Sequence, residues 1–299
     1  MPMNAETMGI ETMNTETKDV DERALAFDCR GERLYGVLSL PSGPCRRGVL
    51  VVVGGPQYRA GSHRQFTLLA RHLAANGVAA LRFDYRGMGD SEGAARAFDD
   101  VEDDLRAAVD AFLGAVPGLE EIVLWGLCDA ASAIAMYAPR DTRVRGIVLL
   151  NPWVRTDEGI ARTTLKHYYR ARLLEAGFWR KLLGGRIDAA ASLRSLAALV
   201  RSALKPRAAA ANDGAALPLP ARMRAGMQAF RGPVLVILSG ADLTAREFCD
   251  LAGSDGAWQR LLDAPRITLH RLEPADHTFS RRQWRDQVAA WTCAWLRSW

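Results

Sequence analysis

No two of the five cysteines in this 299-residue chain (Cys29, Cys45, Cys128, Cys249 and Cys293) form a C-x-x-C pair, and their number is odd. A disulfide framework or a zinc ribbon is therefore not expected. There is no apolar run of about 18 residues, the length that spans a bilayer as a helix. The first residues lack the basic and apolar stretches of a secretory signal, so a cytoplasmic location is expected. A phosphate-binding G-x-x-x-x-G-K-[ST] loop, a dinucleotide fingerprint and a metal-ligand cluster are all missing, which implies no cofactor and no metal. The net charge of +5 comes without a recognised nucleic-acid-binding motif, so nucleic acid is not an expected partner.

What remains is the composition of an ordinary globular protein, 49% apolar and 24% charged. The length suits one large α/β domain or two small ones. Residues 1–20 are polar, loosely repetitive and poor in apolar surface, so they read as a disordered leader. Strands follow at Ala24–Cys29 and Leu34–Leu40, around the hairpin signal Arg30-Gly31-Glu32. Gly48–Val53 is a continuous β-branched run, as in a strand buried on both faces. Phe66, Leu69, Ala70 and Leu73 have helical spacing, with Asn76-Gly77 as the stop. Strands at Val78–Tyr85, Ile122–Leu127 and Val144–Leu150 then alternate with helices at Val101–Val116 and from the 127–131 turn to about Ala138. After Pro233 the pattern resumes as a strand to Leu238, a helix over Ala245–Leu262, a strand over Ile267–Leu272 and a final helix. In that helix Trp284, Val288, Trp291 and Trp295 share one face, as core packing would.

Such alternation predicts a mainly parallel sheet with helices on both faces, built from residues 21–151 and 232–299. The interruption, residues 152–231, reads as a helical lid insertion over the site. It holds fifteen Lys and Arg against five Asp and Glu. That surplus fits a solvated helical surface, and it equally fits attraction of an anionic substrate or peripheral contact with a membrane surface.

The most informative stretch is Glu121–Ala131, where an apolar run ends at Gly126 and small residues open a helix after Cys128 and Asp129. This is the layout of a nucleophile elbow, usually G-x-S-x-G, here Gly126-Leu127-Cys128-Asp129-Ala130. Cysteine stands where serine is usual; a free cysteine can also be simply a small buried hydrophobe. Gly89-Asp90-Ser91-Glu92-Gly93 matches the motif letter for letter, but no apolar strand enters it directly and no apolar-periodic helix leaves it.

A thiol needs a base, and the base needs an orienting acid. The expected chain order is nucleophile, acid, histidine. Asp242 follows a buried strand at the sheet edge where catalytic groups gather, although it also suits the N-cap of the next helix. Asp276 is the weaker alternative acid. Of the five histidines, His63 and His72 precede the elbow, His167 lies in the lid and His270 within a strand, which leaves His277 as base. The oxyanion site then draws one N–H from Asp129 and one from Gln57, since Pro56 has none. Gly54 and Gly55 would permit close approach of substrate, or simply make a turn. The Asp129 carboxylate is expected to point away from the sulfur, capping the helix or pairing with an arginine.

These segments resemble the α/β-hydrolase superfamily. Asp84–Ser91 is similar to its loop after the fourth strand, which implies a scaffold role for Ser91. More narrowly, Gly54–Arg59 with Gly61–Arg64, the Asp84–Gly93 loop, Trp125–Ala131 and Asp276–Phe279 resemble the first hydrolase family associated with the exosortase A system. That resemblance implies a neighbourhood of exopolysaccharide and protein-sorting genes, and adds Tyr58 to Gly54 and Gly55 as candidate substrate-binding residues. The cysteine is similar in nucleophile type to that of dienelactone hydrolases. The expected function is hydrolysis of an ester, thioester or lactone through Cys128, His277 and Asp242, with a small-molecule acyl substrate. Acyl transfer to another acceptor and a catalytically silent binding protein are the alternatives.

Overall fold

The computed structural model describes residues 20–55, 57–154 and 217–299. The expected leader and most of the expected lid, His167 included, lie outside the described residues. One eight-stranded sheet runs in the order β1-β2-β4-β3-β5-β6-β7-β8. Its strands are β1 (Asp21–Cys29), β2 (Glu32–Leu40), β3 (Arg47–Val52), β4 (Ala79–Asp84), β5 (Glu121–Leu127), β6 (Val144–Leu150), β7 (Val234–Ser239) and β8 (Ile267–Leu272). The β1–β2 pair is an antiparallel hairpin, and β2 meets β4 antiparallel; from β4 to β8 every pairing is parallel. Arg30 and Gly31 make the two-residue turn, with φ of 58° and 85°. Positive φ at both positions matches the twist of the two flanking strands.

The helices are α1 (Gln65–Ala75), α2 (Glu102–Ala115), α3 (Asp129–Tyr137), α4 (Leu219–Ala229), α5 (Leu243–Ser254), α6 (Gly256–Leu262) and α7 (Arg282–Leu296). Alternate residues of the central strands point to opposite faces, so the sheet makes two cores. Val49, Val51, Val123, Trp125, Val148 and Leu235 pack with α1 and α7. Leu50, Val52, Ile122, Leu124, Ile147 and Val234 pack with α2 to α6. At Gly48 a side chain would sit 2.7 Å from the Phe112 ring, so the absent Cβ is what lets α2 approach β3. Among the described residues no helix is long and apolar enough to cross a membrane.

Three local expectations change. The single helix over 245–262 is two, because Asp255 turns extended (φ −123°, ψ 110°) and caps α6 by accepting the Ala257 N–H at 2.8 Å. The α4 segment, inside the range expected for the lid, buries Met223 and Met227 in the main core. Trp291 is only partly buried and stacks on His270, ring centroids 4.6 Å apart and 17° from parallel.

The loop after β4 is fastened from below. Arg86, 5% exposed, donates to both oxygens of fully buried Asp104 on α2, at 2.9 and 2.8 Å. Asp104→Ala should therefore strand a buried guanidinium and cost about 3–5 kcal/mol in a urea titration. Arg23→Ala, which removes an exposed ion pair with Asp21, should leave the midpoint unchanged.

Candidate active site

Strand β5 hands the chain to Cys128 at φ 64° and ψ −123°, and α3 begins at the next residue. A side chain at Gly126 would lie 2.7 Å from Ile134 Cδ1 and 3.1 Å from Ala130 Cβ, so the turn closes only over a bare Cα. The methyl of Ala130, where the usual motif has its second glycine, fits because Gly126 has none. The Cys128 N–H donates to the Leu150 carbonyl at 2.9 Å, and its own carbonyl accepts the N–H groups of Trp153 and Ser132 at 3.2 and 3.3 Å. Unfavourable backbone of this kind is held where its surroundings over-determine it.

Asp242 and His277 arrive from the loops after β7 and β8, at the same C-terminal edge of the sheet. The two are joined at 3.0 Å between His277 Nδ1 and Asp242 Oδ2, and the Cys128 side chain neighbours the same imidazole. Besides meeting the imidazole, Asp242 Oδ2 accepts the Ala245 N–H at 2.9 Å and caps α5. The bond to Asp242 and then the neighbouring Cys128 side chain push the imidazole up to about 10, against the effect of burial. Burial pushes the Asp242 carboxyl up, but the bond and charge of His277 outweigh it and leave the group below its ordinary value. Asp276 turns elsewhere and accepts from the Ser280 N–H at 2.9 Å.

Asp129 points at the loop after β3. Its Oδ2 accepts the Gly55 N–H at 2.8 Å and its Oδ1 accepts the Ala130 N–H at 2.9 Å. Burial raises its carboxyl above the ordinary value, while those two N–H groups pull it down. It takes the N–H of the next residue, and α3 has no side-chain cap bond, so the expected capping is not seen; its second partner is a backbone N–H where an arginine was the expected alternative. Gly54 is bare for a reason: a Cβ there would fall 2.1 Å from Asp129 Oδ1. The Gln57 side-chain oxygen is buried without a hydrogen-bond partner. Tyr58 is 43% exposed, donates to Asp90 at 3.1 Å and lies under the Arg59 guanidinium.

Ser91 lies in the loop after β4. Its hydroxyl donates to the Asp84 carbonyl at 2.6 Å and accepts the Tyr35 N–H at 3.0 Å, which ties that loop to β2. Arg59 grips Asp84 and Asp90 from the other side. Sequence reasoning passed over Asn151, which donates to the His277 carbonyl at 3.0 Å. Its only sequence signal was the Asn-Pro break after β6.

A parallel sheet in this order, an elbow after β5, an acid after β7 and a histidine after β8 define the α/β-hydrolase fold. The family model described as serine aminopeptidase, S33, matches residues 44–278, and the chain belongs to that family. A search of curated proteins finds no match. Among solved structures, an esterase of Pyrococcus furiosus is similar at 15% identity, with a TM-score of 0.62 over 94% of this chain and 93% of that one. A putative hydrolase of Agrobacterium vitis is similar at 19% identity and a TM-score of 0.56, covering 92% and 98%. Est1E of Butyrivibrio proteoclasticus, solved with ferulic acid bound, is similar at 17% identity and a TM-score of 0.59, covering 91% and 97%. The family's description names a serine enzyme; the elbow here carries Cys128.

Two measurements check this geometry. The His277 value is raised from 6.5 to about 10. Stability linked to that proton is fully present below about pH 6.5 and lost as pH rises toward 10. The Tm gap between the protein and His277→Gln should accordingly be widest near pH 6 and narrow by pH 10. Gly54→Ala should displace Asp129 and the start of α3, and lower Tm by more than Gly43→Ala, where a Cβ meets nothing within 4 Å.

Proposed function

We propose that the protein hydrolyses an ester, thioester or lactone through Cys128, His277 and Asp242, by way of a covalent acyl-enzyme. The observation that carries this reading is the imidazole of His277 bonded to Asp242 at 3.0 Å and set beside the elbow cysteine. The attacking form is the thiolate paired with the imidazolium, with Asp242 holding the ring's tautomer and direction. Sulfur bonds to the carbonyl carbon, and the tetrahedral oxyanion takes the N–H of Asp129 and that of Gln57. Collapse breaks the bond to the alkoxide or thiolate leaving group, which receives the His277 proton. Water then attacks the thioester, giving its proton to His277. The carbon–sulfur bond breaks, releasing the acid and restoring the pair.

Gly54, Gly55 and Tyr58 line the substrate's approach in this reading. The resemblance of Gly54–Arg59, Gly61–Arg64 and Trp125–Ala131 to the exosortase-associated hydrolases supports a role beside exopolysaccharide export, with the enzyme in the cytoplasm. The basic surplus of residues 151–231 favours an anionic acyl substrate.

One observation favours a second reading, a hydrolase fold that binds without turnover. The Gly55 N–H, which faces the elbow, is taken by the Asp129 carboxylate. A panel of short and long p-nitrophenyl esters and thioesters separates the two. Hydrolysis predicts an acyl adduct on Cys128 by mass spectrometry, loss of at least about a thousandfold in kcat for Cys128→Ala, and a large loss for Cys128→Ser. Ser91→Ala should stay within a few-fold. An inactive Ser91→Ala beside an active Cys128→Ala would overturn the assignment. Absence of turnover across the panel, with Cys128 unreactive toward iodoacetamide, would favour the binding reading.

A further inference from the structure

Asn151 ends β6 at φ 42°, in the left-handed region that asparagine and glycine enter most readily. It has no exposed surface, and all its polar groups named here are paired. The backbone N–H donates to the Ile237 carbonyl at 3.0 Å, which fastens the end of β6 to β7. The side-chain oxygen accepts the Ser239 N–H at 2.9 Å, three residues before Asp242. The side-chain nitrogen donates to the carbonyl of His277 at 3.0 Å. On either side of Asn151 the same segment touches the elbow: the Leu150 carbonyl accepts the Cys128 N–H, and the Trp153 N–H donates to the Cys128 carbonyl. Residues 150–153 thus meet the backbone of the cysteine turn, the strand end that carries the acid and the loop that carries the histidine.

We propose that Asn151 is a positioning residue for the Cys128–His277–Asp242 site, its amide setting where the His277 backbone sits relative to the end of β7. The proposal rests on the triad reading given above. The imidazole must meet Asp242 and the sulfur at once, which tolerates little displacement of the ring. A second tie holds the start of the histidine loop to the acid loop, the Ala241 N–H donating to the Ala275 carbonyl at 3.0 Å; past it Asp276 is bonded within its own turn, and the Asn151 amide is what meets the His277 backbone itself. Both ends of one planar amide are used, so the distance between the Ser239 N–H and the His277 carbonyl is set by a rigid group.

Asn151→Gly tests this without new backbone strain, because glycine accepts φ 42° and only the amide is lost. The expected result is a fall in kcat of about a hundredfold with KM within a few-fold. Alkylation of Cys128 by iodoacetamide should slow, and the His277 imidazole should titrate well below about 10 by NMR. Asn151→Asp retains an acceptor for Ser239 but sets an oxygen against the His277 carbonyl. It should give the same losses, and it carries the test if the glycine variant does not fold. A variant that folds with lower Tm but unchanged kcat, alkylation rate and His277 titration would overturn the proposal and leave Asn151 a structural residue. Alkylation and NMR need no substrate, so absence of ester turnover in the unaltered protein would count against the proposed function alone.

Discussion

A non-glycine residue at φ 64° and ψ −123° persists only where its neighbours outweigh an unfavourable backbone, and Cys128 depends on several of them at once. Gly126 removes the side chain that would strike Ile134 and Ala130. Leu150 receives the cysteine N–H, while Trp153 and Ser132 hold its carbonyl. The turn lifts the sulfur above the sheet edge and starts α3 immediately beneath it, where the positive end of the helix dipole favours an anion. Parallel pairing of β5, β6, β7 and β8 brings the acid and histidine loops to that edge.

The charges around the turn have to be shared with care. His277 sits between Asp242 and Cys128, and Asp129 contributes a further negative charge felt by the same imidazole. Two carboxylates beside a half-buried imidazole would be costly if they were left without partners. Both are instead held by backbone N–H groups, Asp242 by Ala245 and Asp129 by Gly55 and Ala130. Those bonds keep the carboxylates satisfied in a half-buried site. The same arrangement explains the pair of glycines after β3, since a methyl at Gly54 and the Asp129 carboxylate cannot occupy one space.

The loop at Gly89–Gly93 illustrates how a motif can match in letters and differ in physics. Ser91 is bonded at both its donor and acceptor sides, to Asp84 and Tyr35. Gly89 is there because a side chain would fall 2.2 Å from the buried Asp84 carboxylate. Arg59 and the Arg86–Asp104 pair anchor the rest. Gly89 serves close packing around a carboxylate, whereas Gly126 serves the crossing of a strand by a helix.

The strand and helix alternation, the two-faced sheet, the elbow and the order cysteine, aspartate, histidine were all legible in the sequence. They rest on period-two and period-3.6 patterns and on strand-end positions, which are local properties of the chain. The break at Asp255 was not legible, because the helix pattern runs through it and only the capping bond to Ala257 reveals it. Nor was the destination of the Asp129 carboxylate, which meets an N–H 74 residues away, or the grip of Asn151 on a carbonyl 126 residues away. Propensity and spacing describe what a segment can become. Which buried amide or carboxylate meets which backbone group was decided only when distant strand ends converged at one sheet edge, where a polar group without a partner is costly.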